Sequence, residues 1–215
     1  MFMSFSPSTT IHGPQDPVVQ FWTWFQLNEK KLQDFRAYPS ERLGEIHQQL
    51  QRISKGLIIE ADLNSTGARK IVFSADGNED LFFAVQDIVK KAPRLAGWEF
   101  IAFRQRLAAK EALNLKIEAD NISLKLKEMM FFPVLESDTL DVIIYTKNLT
   151  AGNYAHIATY SFQLLDQLLG EYDAAKKVRA YDFHPLPGNK KELAELRPLI
   201  ELPIYIDSIF NNARK

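Results

Sequence analysis

Two arginines separated by one residue follow the most apolar segment of the chain. WEFIAF occupies residues 98–103, and Arg104 and Arg106 come directly after it. Because side chains alternate along an extended strand, both guanidinium groups would leave it on the same side. Paired guanidinium groups can bind a carboxylate or a phosphate through parallel hydrogen bonds. Arg104 and Arg106 are therefore candidate anion-binding residues. The alternative, which we favour, is ordinary ion pairing at a solvated sheet edge.

Asp182 and His184 form a second candidate pair. Their i, i+2 spacing places them on one face of a predicted strand and suits an acid–base pair or two metal ligands. Glu171 and Asp173 are acidic residues that the fold could bring beside them. No third ligand is indicated, so neither a metal site nor a cofactor is predicted. A surface polar pair without a chemical role is the favoured alternative.

A third segment with the potential to bind an anion is SADG, which ends at Gly77. A glycine ahead of a helix N-terminus can bind phosphate through backbone N–H groups. Here, however, Asp76 and Glu79 fit a capping box, and their carboxylates would repel a phosphate. We therefore predict a structural helix cap. The sequence also contains no nucleophile elbow, zinc-protease helix motif, dinucleotide-binding glycine pattern or EF-hand loop, so no enzyme class is indicated.

The elements that must position these residues begin with two helices. Asp16 and Pro17 predict the start of the first helix, as N-cap and first helical residue. Ser40 is expected to cap the second. Residues 57–63 and 69–75 alternate in polarity and are rich in β-branched residues, so they predict a β-hairpin.

Helix and strand patterns then follow twice. A predicted helix at 79–92 leads to the 98–103 strand, and a predicted helix at 154–169 leads to a strand at 177–183. Gly170 is expected just past the end of the second of these helices. We predict an α+β fold: a mostly antiparallel sheet, two N-terminal helices and two sheet-covering helices, with repeated ββαβ units as a further hypothesis.

Length and pattern predict a single domain over residues 1–215. Two subdomains, 1–110 and 111–215, are the alternative. Residues 1–15 are expected to form a flexible arm.

Composition limits the classes of partner. The formal net charge is −1, with 26 Lys plus Arg against 27 Asp plus Glu, which argues against nucleic-acid binding. No apolar run reaches the roughly 18 residues of a membrane span, and the first residues lack the pattern of a signal peptide. Cysteine is absent, which fits a reducing compartment. A cytoplasmic location is therefore expected, with an unknown protein partner or a small anionic ligand, and a homodimer as one form of association.

Three segments are similar to segments of other proteins: FSADGNEDLFFAVQDIVKKAPRLAGWEFIAFR, FWTWF upstream of it and LLDQLLGEYD downstream. Together they resemble conserved bacterial proteins of uncharacterised function. The resemblance implies a cytoplasmic bacterial domain and brings no catalytic residues with it.

These observations favour a non-enzymatic binding or protein-interaction domain. The alternative is a small-molecule enzyme or ligand-binding domain, with Arg104 and Arg106 holding an anionic group and Asp182 and His184 transferring protons. Whether the protein is an enzyme stays open at this stage.

Overall fold

A computed structural model describes residues 16–61, 67–137 and 139–210 of the chain. The helices in these ranges are α1 (Pro17–Leu32), α2 (Pro39–Leu50), α3 (Phe82–Lys90), α4 (Ala109–Ala112), α5 (Tyr154–Leu169), α6 (Glu171–Lys176), α7 (Lys190–Leu193) and α8 (Leu202–Phe210). None of the helices within these ranges is long and apolar enough to cross a membrane. The predicted arm, residues 1–15, lies outside the described residues.

The strands of the described ranges lie in two sheets and a separate hairpin. They are β1 (Ile58–Ala61), β2 (Arg69–Ser74), β3 (Trp98–Ala102), β4 (Lys116–Ala119), β5 (Ile122–Lys125), β6 (Met130–Glu136), β7 (Thr139–Thr146), β8 (Ala180–Pro185) and β9 (Arg197–Pro198). Short 3₁₀ helices occur at Glu79–Leu81, Leu126–Glu128 and Leu199–Glu201.

The first helix begins where the sequence predicts. Asp16 Oδ1 accepts a hydrogen bond from the Val18 N–H at 2.8 Å, and Pro17 is the first helical residue. The second helix begins at Pro39 without a side-chain cap. The predicted Ser40 cap is therefore wrong, and the fixed φ of proline at the first helical position suits the start of this helix without it.

The N-terminal ββαβ unit consists of β1, β2, α3 and β3. β1 pairs with β2 in antiparallel direction, and β3 lies parallel to β2. Aromatic side chains of α1 pack on this sheet: the ring centroids of Trp22 and Phe100 lie 4.6 Å apart, and those of Phe25 and Trp98 lie 5.0 Å apart. Trp22 Nε1 also donates to the Ile88 carbonyl of α3 at 2.8 Å. Helices α1 and α3 therefore share one core.

The C-terminal ββαβ unit consists of β6, β7, α5 and β8. β6 pairs antiparallel with β7, β8 lies parallel to β7, and β9 pairs with the start of β6. The β4–β5 hairpin is separate from this sheet. Aliphatic side chains dominate the core of the unit, among them Leu124, Leu126, Leu140, Val142, Ile144, Ile157, Leu164, Leu165 and Leu168.

The α+β class is confirmed, but the expectation of one mostly antiparallel sheet is wrong. The strands of the described ranges form three sheets, and both larger ones are mixed. The reason lies in the connections: a hairpin makes the first two strands of each unit antiparallel, and a helix then carries the chain back so that the third strand runs parallel to the second.

The predicted capping box at Asp76 does not form. Asp76 adopts φ +52°, and its carboxylate contacts Arg104 at 2.8 Å. Asn78 takes the capping role, because its Oδ1 accepts a hydrogen bond from the Asp80 N–H at 3.1 Å. A long-range ion pair has replaced the predicted local contact.

Each unit has its own core, and the short helix α6 lies between them. Ala175 packs against the N-terminal core and Ala174 against the C-terminal one. The Tyr172 ring lies 5.7 Å from the Phe82 ring and 5.4 Å from the Phe103 ring. Residues of α6 therefore contact both units.

Candidate functional site

Arg104 lies in the cleft between the two units, just after β3. Its Nε donates to Glu60 at 2.6 Å, its Nη2 to Asp76 at 2.8 Å and its Nη1 to Asp166 at 3.1 Å. Glu60 belongs to β1 and Asp76 to the loop after β2, whereas Asp166 comes from α5. One guanidinium group thus joins carboxylates of both units, and each of its nitrogens donates to one.

The shared charges shift the pKa values of these groups. Burial acts to lower the pKa of Arg104, but the hydrogen bonds with Asp76 and Glu60 outweigh it, so the pKa lies above its ordinary value. For Asp166, burial raises the pKa; the attraction of Arg104 opposes this shift, and the negative charge of Glu171 adds to it. Arg104 is therefore firmly charged, whereas the charge on Asp166 is unfavourable in this environment.

Glu171 is a buried carboxylate that fastens the two units together. Its side chain is 1% exposed. Oε1 accepts hydrogen bonds from the Ala75 N–H at 2.8 Å and the Gly77 N–H at 3.2 Å, and Oε2 accepts from the Arg104 N–H at 3.3 Å. The SADG loop therefore does bind an anion through its backbone, and the anion is a carboxylate of the same chain. Three N–H donors can stabilise a carboxylate that has lost its water.

Gly170 allows this close approach. As predicted, it follows the last residue of α5, with φ +74°. A Cβ atom at this position would lie 3.0 Å from both the Arg104 carbonyl oxygen and the Arg106 nitrogen. The Glu171 N–H donates to that same carbonyl oxygen at 3.0 Å. Glycine is needed here both for its backbone conformation and for the contact between the two segments.

Arg106 is also held by the chain's own acceptors. Its Nη2 donates to Asp173, its Nη1 to Asp207 at 2.8 Å and its Nε to the Leu169 carbonyl oxygen at 3.0 Å. The hydrogen bond with Asp207 is the main reason that the pKa of Arg106 is raised. For both arginines the geometry favours the ion-pair interpretation. An exogenous anion at Arg104 and Arg106 stays a hypothesis without a supporting contact.

Two cavities meet at Arg104, with volumes of about 420 Å³ and 550 Å³. We call them together the junction cleft. Both are lined by Asp76, Arg104, Gln163 and Asp166. The smaller cavity also has an apolar wall, formed by Phe162, Leu165, Ala174, Ala175 and Tyr181. Burial raises the pKa of Tyr181, whose hydroxyl donates to the Ala174 carbonyl oxygen at 3.3 Å.

Asp182 and His184 come together as the strand pattern predicts. His184 Nε2 lies 2.8 Å from Asp182 Oδ2, and this hydrogen bond is the main reason that the pKa of Asp182 is lowered. Both side chains are exposed. Neither lines a cavity described around Arg104. The structure therefore does not bring the two predicted pairs into one site.

Glu171 and Asp173 do not join Asp182 and His184. They pair instead with the segment that contains Arg104 and Arg106. In the described part of the chain, no group of three or more histidine, cysteine, aspartate or glutamate residues is arranged to hold a metal ion.

The outer face of the C-terminal sheet is a second notable surface. It carries apolar side chains next to the Asp182–His184 pair: Phe132 lies opposite Ile143, Met130 opposite Tyr145, and Tyr145 beside His184. The Tyr145 and His184 ring centroids lie 5.7 Å apart. Among the residues that the structure describes, neither core includes Met130, Phe132, Ile143 or Tyr145. Met130, Ile143 and Tyr145 are partly buried on this face, and Phe132 is exposed.

Comparison with known proteins adds no identification: no family model, no curated protein and no solved structure matches the chain. The resemblance to bacterial proteins therefore stays a prediction, and any function must be argued from the geometry.

Proposed function

We propose that the protein is a non-catalytic binding protein that holds a small organic molecule in the junction cleft. The observation that carries the proposal is the cleft itself, whose two cavities of about 420 Å³ and 550 Å³ meet between the two units. Small-molecule sites are typically of about 300–1,000 Å³ and often lie between two structural units.

The chemistry of the walls supports binding. One side is apolar, with Phe162, Leu165 and Tyr181, and would remove an apolar group from water. The other side carries the amide of Gln163 and the carboxylate of Asp166, which could orient a ligand by hydrogen bonds. An apolar wall with a few convergent polar groups is typical of a binding site.

The same walls favour binding over catalysis. The described residues that line the two cavities include no serine, threonine, cysteine, lysine or histidine. Nucleophilic catalysis by an aliphatic hydroxyl, a thiol, an amine or an imidazole needs one of these side chains, so only a carboxylate or Tyr181 could serve as a nucleophile here. Glu60, Asp76 and Asp166 each bind Arg104 through one oxygen, and both oxygens of Glu171 accept backbone N–H groups, so each carboxylate already stabilises the junction of the two units.

A matched pair of substitutions tests the proposal. Gln163 is exposed and lines both cavities, so Gln163→Trp should fill the cleft without disturbing a core. Gln86→Trp makes the same change at an exposed position of α3 that lines neither cavity. In a thermal-shift screen of metabolites of all charge types, we expect ligands that raise the Tm of the wild type and of Gln86→Trp but not of Gln163→Trp. If every hit acts equally on both variants, or no compound raises the Tm, the cleft is not the binding site.

Protein interaction is the second candidate function, favoured by the apolar outer face of the C-terminal sheet. Apolar groups in contact with one another on a surface often mark an interface. Phe132 is 38% exposed on this face. Sedimentation of the wild type and Phe132→Asp distinguishes the cases: a dimer that the substitution dissociates supports the predicted homodimer, whereas a monomer in both excludes self-association through this face.

The enzymatic alternative has the least support. It requires an anionic group at Arg104 and proton transfer by Asp182 and His184, and neither Asp182 nor His184 lines one of the cavities described around Arg104.

We also propose that the two ββαβ units are structurally related halves. The support is their common topology: in each, an antiparallel pair is followed by a helix and by a third strand, which runs parallel to the second strand and pairs with it on the side away from the first. Superposition in an experimental structure tests this proposal. If the halves are related, β1, β2, α3 and β3 should superpose on β6, β7, α5 and β8 in that order. The two helices should also cross their sheets at similar angles.

A further inference from the structure

We propose that the ligand of the junction cleft is an organic cation, an amine or guanidine attached to an apolar group, an inference that rests on the proposed function. The cleft already holds one such group, the guanidinium of Arg104, among three carboxylates. An anionic ligand, which the two arginines alone would favour, does not fit this environment.

The balance of charge in the cleft is negative. The ionisable carboxyl groups that line it are those of Glu60, Asp76, Asp166 and Glu171, against the single guanidinium of Arg104. Glu171 is neutralised in part by its three N–H donors, but the other carboxylates share one positive charge. In a partly buried site, charges interact more strongly than in bulk water, so an anion would be repelled and a cation attracted.

Acceptor oxygens remain for a second cation. Arg104 contacts Glu60 through Oε1, Asp76 through Oδ1 and Asp166 through Oδ2. In the described structure, the second side-chain oxygen of each of these residues makes no hydrogen bond. An ammonium group has three donors and no acceptor, so it could bind these oxygens without competing with Arg104 for the oxygens that already accept its hydrogen bonds.

Asp166 lies where the polar and apolar parts of the cleft meet. It lines both cavities, and the apolar wall with Phe162 and Tyr181 is beside it. Its raised pKa has burial as the main cause, with Glu171 and Glu60 adding to it. A bound cation would reverse this unfavourable electrostatic environment. Aromatic rings next to the site also suit a cation, because ring faces attract positive charge.

The test uses four ligands with one apolar body: benzylamine, benzylguanidine, benzyl alcohol and phenylacetate. Each is titrated into the 215-residue protein, and binding is followed by the backbone amide NMR signals of Gly77 and Arg104, which lie in the cleft. We expect the two cations to shift these signals at the lowest concentrations and phenylacetate at the highest.

Asp166→Asn and Glu99→Gln form the matched pair of variants. Asp166→Asn keeps the shape and an acceptor oxygen but removes the charge from the cleft. It should weaken benzylamine binding about tenfold, the effect of losing one charged hydrogen bond, and leave benzyl alcohol unchanged. Glu99 lies in β3, pairs with Lys70 and lines neither cavity, so Glu99→Gln should leave both affinities unchanged.

The outcomes separate this inference from the proposed function. If phenylacetate binds in the cleft as tightly as benzylamine or more tightly, the cation inference is overturned while binding in the cleft stands. An equal loss of benzylamine and benzyl alcohol affinity in Asp166→Asn would also overturn it, because charge would then not be the cause. If none of the four ligands shifts the cleft signals at millimolar concentration, the proposed function fails as well.

Discussion

The two ββαβ units share strand order and direction but differ in the outer faces of their sheets. In the N-terminal unit, Lys70 and Glu99 lie opposite each other on neighbouring strands and form an ion pair at 3.5 Å, next to the apolar pair of Val72 and Ile101. In the C-terminal unit, the corresponding surface carries Phe132, Ile143 and Tyr145. Both outer faces therefore carry apolar side chains, but the C-terminal face carries aromatic rings, whereas the N-terminal apolar pair is aliphatic and lies beside an ion pair. Because the topology is the same, this difference comes from the sequence and not from the fold.

The inner faces differ as well. Tryptophan and phenylalanine rings dominate the N-terminal core, where Phe25 contacts both Trp98 and Phe100 at centroid distances of 5.0 and 5.3 Å. Aliphatic side chains dominate the C-terminal core. Aromatic pairs add about 0.5–1.5 kcal/mol each beyond their burial, so these ring contacts add to the stability of the N-terminal unit.

Phe25→Ala is among the substitutions with the largest expected effect, because it removes a fully buried ring from the N-terminal core. The free energy of unfolding should fall by about 3–5 kcal/mol. All three tryptophans, Trp22, Trp24 and Trp98, lie in this part of the chain, so their fluorescence reports it, whereas far-UV circular dichroism reports both units. If the chain unfolds as a single domain, fluorescence and circular dichroism should give the same urea midpoint.

The control for Phe25→Ala is Leu27→Ala on the same helix. Leu27 is 82% exposed, so its loss should change the free energy of unfolding by no more than about 0.5 kcal/mol. Different midpoints from the two probes would support the two-subdomain alternative and contradict the prediction of a single domain.

Gly170→Ala tests how tightly the two units are joined. Its φ of +74° and ψ of 152° are unfavourable for other residues, and the added Cβ would meet backbone atoms at 3.0 Å. We expect a loss of about 2–3 kcal/mol in the free energy of unfolding, measured by urea denaturation. Gly188→Ala is the matched control, because a Cβ there would meet nothing within 4 Å. Equal stability of the two variants would mean that the junction can move apart at little cost.

Glu171→Gln tests the buried carboxylate that both units share. The amide keeps one acceptor oxygen, but its NH₂ group would face an N–H donor in place of the second. We expect a loss of about 2 kcal/mol and faster hydrogen exchange at the Ala75 and Gly77 amides, which donate to Glu171. A variant with unchanged exchange at these amides would show that the hydrogen bonds do not hold the junction together.

The smallest effect is expected on the outer face of the C-terminal sheet. Phe132→Ala should change the free energy of unfolding by no more than about 0.5 kcal/mol, because the side chain belongs to neither described core. Its neighbour Phe131 is fully buried on the opposite face, so Phe131→Ala should cost about 3–5 kcal/mol. A large loss in Phe132→Ala would show that this face stabilises the fold, and would remove the reason for regarding it as an interface.

Local elements were predictable because their signals lie close together in the chain. The Asp16 cap, the bounds of α5 and the position of Gly170 depend on a few neighbouring residues. The sheet directions were predicted less well, since alternation of side chains identifies a strand but does not give its direction relative to another strand. The mixed sheets follow from the order hairpin, helix, strand, which the sequence also showed.

The site is where the sequence was least informative. Arg104 was identified from the sequence as a candidate anion-binding residue at the end of a strand. Its actual partners could not be identified, because Glu60, Asp76 and Asp166 are 28 to 62 residues away along the chain. Glu171 offered no local signal for burial, and its donors lie up to 96 residues away.

The sequence by itself therefore determined the longer helices, most of the strands and the type of side chain that each presents, because short-range backbone and packing preferences decide these. The short helices α4 and α6 were not predicted. Only the tertiary structure decided what the charged residues do. Ion pairs and buried carboxylates depend on groups that folding brings together from distant segments, and the energy of a charge depends on how much water those segments leave around it. For Arg104 this changed a candidate anion site into the positive centre of an acidic cleft.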